Sequence, residues 1–153
     1  MKSIVLDQPR RKLALSFEGF EPDRQEELDN AVALLLPFAP AWLTRFQFER
    51  GKDGGSILAV NVDREYRRAT VWVHDRWFTL SAERRVNAML HEWMHLYTIA
   101  VAEYALEAAR RALGEDLPKL LAEIEAGLRE RCEAATQDLA DTIHDRLLRE
   151  ADR

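Results

Sequence analysis

The sequence predicts an α+β chain: a small, mostly antiparallel sheet of three to four strands with an N-terminal helix, a middle helix and a long C-terminal helix. Three observations predict it. Runs rich in β-branched and aromatic residues cluster between positions 43 and 75, separated by turn-forming segments. Apolar residues recur at helical spacing before and after that cluster, with start and stop residues in place. The 153 residues carry no internal repeat, low-complexity tract or linker, so they read as one domain, 1–153. A chain of that length buries roughly two thirds of the surface its unfolded form exposes.

Residues 1 to 20 are ambiguous, although "KLALSFEGF" alternates as a short strand does. "EPDRQEELDNAVALLLPF" reads as a helix: Pro22 and Asp23 open it, acidic residues suit its first turn, and Pro37 ends it. "LTRFQFE" (43 to 49) and "SILAVNV" (56 to 62) flank "RGKDGG", which marks a hairpin. "ATVWVHD" (69 to 75) is the next strand, with Thr70, Trp72 and His74 on one face and Val71 and Val73 on the other. Ser81 then caps a helix from about 82 to about 112, stopped by Gly114. Another starts after Asp116, with Pro118 in its first turn, and runs to about 149. The short break between them makes the two helices antiparallel neighbours.

Composition narrows the partners. The net charge is −5, and the basic residues stand as scattered doublets (Arg10-Arg11, Arg67-Arg68, Arg84-Arg85, Arg110-Arg111) rather than as a stripe. Nucleic acid is therefore not the expected partner. The longest apolar run, "AVALLLPFAPAWL", has thirteen residues and two prolines, short of the ~18 needed to cross a bilayer, so no membrane association is expected. The single cysteine, Cys132, excludes an internal disulfide framework and suits a reducing compartment. The apolar run before Asp7 is too short for a signal-peptide core, and a cytoplasmic location is expected.

The segment that carries chemistry is "VNAMLHEWMHLYTIAV", 86 to 101. Positions i and i+4 share a helix face, so His91 and His95 can aim two imidazoles at one ion. Glu92 lies about 100° round the helix from His91 and about 60° from His95, beside the ligands without being in line with them. Val86, Leu90, Trp93, Met94, Tyr97, Val101 and Ala105 form an apolar flank, and Ala88, Ile99 and Ala102 keep the histidine side from being a charged solvent face. A helix covered on most sides has few ways to satisfy three ionisable groups. Metal coordination is one of them.

"HEWMH" resembles the H-E-x-x-H motif of the zincin metallopeptidases. The order of "ATVWVHDRWFTLSAERRVNAMLHEWMH" is also similar to theirs, with an active-site helix following a small sheet. The likeness covers residues 69 to 140 and is nearest to the minimal one-domain members, the minigluzincins; the first 40 residues resemble no family. It implies one zinc ion held by His91, His95 and a third group, with Glu92 as general base. The metzincin continuation is absent, because "LYTIAV" after His95 has neither the glycine nor the third histidine, and His74 and His144 fall outside that pattern.

The gluzincin branch takes its third ligand, a glutamate, from a later helix. If the two helices fold back about Gly114, His95 faces the region near 133. Glu123 and Glu125 then fall about two turns or more short, Glu130 points away from the face through Leu121, Leu128, Cys132, Ala135, Leu139 and Ile143, and Glu133 borders it. Glu133 is the expected third ligand. "CEAATQ" resembles the gluzincin N-E-x-x-S-D segment, with Thr136 in the serine slot. Cys132 and Gln137 depart from it, which leaves Asp138, Asp141 or Gln137 to support a ligand histidine.

The activity this resemblance implies is peptide-bond hydrolysis of a peptide or protein substrate by a zinc-activated water. The family's edge strand pairs with extended substrate, which makes "ATVWVHD" the expected docking strand and Trp72 and His74 its substrate-contacting side chains. His74, Tyr66 and Tyr97 are the open choices for an oxyanion donor. Two alternatives stand beside the peptidase: a latent or catalytically weak zinc-binding regulatory or adaptor domain, and a helical interaction protein built on the 115–149 helix. The sequence specifies no oligomeric state.

Overall fold

Strict alternation builds the sheet. In the computed structural model, which describes residues 2–8, 11–51, 55–114 and 117–151, the order is β1 (Lys2–Gln8), β2 (Arg11–Glu18), α1 (Pro22–Leu35), a 3-10 turn (Leu36–Phe38), β3 (Arg45–Arg50), β4 (Leu58–Asp63), β5 (Arg68–Val73), a second 3-10 turn (Asp75–Thr79), α2 (Ala82–Leu113) and α3 (Pro118–Ala151). Packing divides the chain into two units, Met1–Trp93 and Met94–Arg153, with the border inside α2. No helix of the described residues is long and apolar enough to cross a membrane.

The first unit holds a five-stranded sheet in the order β1-β2-β3-β5-β4. The α+β class stands as expected, but the sheet is larger than three to four strands and mixed. β1 with β2 and β4 with β5 are antiparallel, whereas β2 with β3 and β3 with β5 are parallel. The crossover through α1 returns the chain in the same direction and makes β3 parallel to β2. The hairpin expected between 43–49 and 56–62 does not form: β5 lies between β3 and β4, and part of the expected turn, 52–54, falls outside the described residues. The tight hairpin is instead β4–β5. There Asp63 Oδ1 accepts from Tyr66 N at 3.1 Å and Arg67 adopts φ +54°.

One face of this sheet is the core. Leu15 pairs across with Phe46 and Phe17 with Phe48, and the rows continue to Ala69 and Val71. All six are buried. The Phe17 and Phe48 rings stack at 5.3 Å, and Phe46 meets Trp93 of α2 at 4.7 Å. Trp93 also donates from Nε1 to Phe38 O at 3.1 Å, which fixes the rotation of this part of α2. Ser81 caps α2 as expected, its Oγ accepting from Arg84 N. Met89, Leu90 and Trp93 are buried.

The second unit is a helical hairpin. Gly114, at φ +66°, ends α2 with its N–H on Arg110 O. Pro118 opens α3 as its first residue, where its missing N–H is harmless. Arg110 meets Glu125, and Thr98 meets Thr136, so the helices run antiparallel, as the short break between them predicts. The expected apolar flank of α2 is corrected past Leu96: Tyr97 and Val101 are exposed. The inward line of α3 is also displaced by one residue from the expected one. Thr136 and Ala140 are buried, whereas Ala135 and Leu139 are exposed.

Candidate metal centre

His91 and His95 leave the same unbroken helix one turn apart, so helix geometry sets their spacing. Glu133 comes from α3. One ligand atom from each of the three lies within 4.8 Å of the others. His95 Nε2 and Glu133 Oε1 are 3.6 Å apart. A tetrahedral zinc with ligand distances of about 2.0–2.1 Å sets neighbouring donors roughly 3.3 Å apart, so this edge of the cluster needs to close by only a few tenths of an ångström. Glu133 is the more accessible of the two, its side chain 56% exposed against 9% for His95. Two imidazoles and a carboxylate are also the donor types of a catalytic zinc site, which takes three protein ligands and keeps one position open. As a donor set the residues suit the ion; the group spans up to 4.8 Å, so its wider edges would have to draw in further than this one.

Around His95 the surroundings are specific. Among the described residues, His95 and Thr136 are the buried polar side chains, and they touch: Thr136 Oγ1 is 3.3 Å from His95 Nδ1. Thr98 Oγ1 lies 2.7 Å from the same hydroxyl. Sequence reasoning singled out Thr136 in the serine slot but named neither it nor Thr98 as a partner of the histidine. The spacing 128, 132, 136, 140 was available as a signal, but a polar residue within it does not register as apolar. Gln137 Nε2 donates to Asp141 Oδ1 at 2.7 Å on the exposed side of α3, and Asp138 is exposed as well.

The strand carrying Trp72 and His74 is not the sheet edge that was expected. β5 is an interior strand, paired on both sides, so its backbone has no free rim for an extended substrate. Trp72 alternates with the buried Val71 and Val73, which places it on the sheet face opposite the Phe46–Trp93 contact. Its Nε1 donates to Glu49 Oε2. His74 Nδ1 accepts from Arg76 N and caps the 3-10 turn. Tyr66 is exposed with Arg68 over its ring, and Tyr97 is exposed on α2. Glu92 is half-buried on α2 between the two histidines.

Compared with known protein families, curated proteins and solved structures, the chain has no match.

Proposed function

We propose that this chain is a zinc-dependent metallopeptidase of gluzincin type, with His91, His95 and Glu133 as the metal ligands and Glu92 as general base. What carries the proposal is the convergence of two imidazoles and one carboxylate within 4.8 Å, next to a glutamate in the i+1 slot. A zinc held by these residues would supply an acidified water and polarise the scissile carbonyl. Glu92, set off by about 100° and 60° from the two histidines, takes the proton of the attacking water and passes it to the leaving amine. Any strand addition by a peptide or protein substrate uses an outer strand of the sheet, β1 or β4. The lone Cys132 supports a cytoplasmic location.

A zinc-binding domain without turnover is the second reading. The interior position of β5 favours it, because it removes the strand expected to hold substrate. Metal analysis of the purified protein tests both: about one zinc per chain is expected, lost in the His91→Ala, His95→Ala double variant. A metal-free protein that takes up no zinc on titration excludes both.

A further inference from the structure

Beyond Leu96, α2 shows two lines of residues at the same four-three-four spacing, about 100° apart round the helix. Thr98, Ala102, Ala105 and Ala109 are half-buried, and Thr98 meets Thr136 of α3, so this line faces the other helix of the hairpin. The second line, Tyr97, Val101, Tyr104 and Ala108, is exposed. Tyr104 and Val101 are the most exposed large apolar side chains among the described residues, at 74% and 70%. Their rhythm is that of a seam between two helices. The same face also carries a matching recess. A shallow groove of about 340 Å³ is lined by Tyr104, Glu107, Ala108, Arg111 and Ala112. Positions 104, 107, 108 and 111 are the four corners of a hole that receives one side chain of a facing helix.

We propose that this face pairs two copies of the chain, α2 against α2, antiparallel about a two-fold axis through Ala108. The face is complementary to itself. Counting residues from that axis, Tyr104 of one copy lies level with Ala112 of the other, so each projecting ring meets a recess floored by small side chains. Val101 closes the contact at the end of the facing helix. Glu107 and Arg111 flank the groove, and equivalent flanks of antiparallel helices face each other. The axis therefore brings Glu107 of each copy within two residues, about 3 Å along the helix, of Arg111 of the other. Opposite charges meet twice. A helix of another protein has to supply that pattern by coincidence, whereas a second copy holds it by symmetry. The contact spans roughly two heptads of one helix, at the small end of specific interfaces, so the dimer is weak and reversible. It uses none of the metal ligands and stands whether or not zinc binds.

Analytical ultracentrifugation of the full chain is the test, and wild type is expected to pass from monomer to dimer between about 1 and 200 μM. Tyr104→Glu and Ala108→Glu put charge into the seam, and each is expected to weaken the dimer roughly tenfold or more. Because both side chains are exposed, far-UV circular dichroism and the melting midpoint are expected to stay at wild-type values. Charge reversal tests the arrangement itself. Glu107→Arg and Arg111→Glu are each expected to be monomeric alone, to associate when mixed, and to regain self-association when combined in one chain. A wild type still monomeric at about 200 μM overturns the inference. So does a dimer that Tyr104→Glu and Ala108→Glu leave intact, because the interface then lies elsewhere. Reversals that neither associate on mixing nor recover in the double variant overturn the antiparallel pairing. Should a seam variant fail to fold, the reversal pair on the exposed rim decides.

Discussion

Glu133 reaches to 3.6 Å from His95 Nε2 while remaining more than half exposed. An exposed carboxylate at that distance contributes little to folding, since surface pairs are worth about 0–1 kcal/mol. On the proposed function, metal binding and stability therefore separate at this residue. Glu133→Gln is expected to leave the denaturant midpoint within about 0.5 kcal/mol of wild type. It is expected to weaken zinc binding by about 100-fold or more, beyond the usual effect of a change behind the ligands. Equilibrium unfolding and chelator competition on one preparation measure both. Zinc affinity unchanged in Glu133→Gln removes Glu133 from the ligand set.

On the proposed function, Glu92 separates catalysis from metal binding. A general base there would touch the reacting water, not the ion, so Glu92→Gln would keep the shape and the metal while losing the proton acceptor. Zinc content is expected to stay at wild-type level, with peptide hydrolysis falling about 10²–10⁴-fold. A mixed-peptide library analysed by mass spectrometry gives the readout. Equal cleavage by the two proteins sinks the assignment of Glu92. A wild type that leaves the library untouched, with full zinc, directs the interpretation to the non-catalytic alternative.

Trp93 is where α2 meets the sheet of the first unit. It is fully buried, meets Phe46 at 4.7 Å and donates to Phe38 O. Trp93→Ala leaves a large void and is expected to cost about 3–5 kcal/mol. Trp93→Phe keeps most of the apolar contact but loses the indole hydrogen bond to Phe38 O, for about 0.5–1.5 kcal/mol. Denaturant unfolding followed by far-UV circular dichroism checks both. A Phe variant as stable as wild type would show that the indole hydrogen bond adds nothing.

How far the sequence discloses this molecule depends on the kind of signal. Helix ends were legible because capping is local: Ser81, Gly114 and Pro118 act on their own neighbours. The His95–Glu133 approach was legible too, because two helices joined by a short break have a register that can be counted. Strand order was not. "RGKDGG" has the composition of a hairpin turn, yet pairing β3 with β5 brings Phe46 beside Ala69 and Phe48 beside Val71 in one buried row, a long-range gain that local turn chemistry does not reveal. β1 was missed because "KSIVLDQ" is a short segment read without its partner β2. Thr98 and Thr136 were missed as a pair because they are distant in sequence and neither is apolar.

Asp75 gives the fold an acid-sensitive joint. Its two oxygens bind Arg24 of α1, at 2.5 Å, and Arg50 at the end of β3. Arg24 also lies over the Phe78 ring at 4.8 Å. The hydrogen bond from Arg50 is the largest cause holding the carboxyl below its ordinary pKa of 3.8; desolvation opposes it, and Arg24 adds to it. A group whose folded pKa is depressed stabilises above its unfolded pKa, and that stability is lost as pH falls through the folded value. Wild type is thus expected to be more stable than Asp75→Asn by a constant amount from about pH 5 to 7, with the two curves converging below about pH 4. Because the groups are partly exposed, about 1 M salt is expected to shrink the gap. Thermal unfolding midpoints across that range are the measurement, and curves that stay parallel into the acid region would exclude Asp75 as the source.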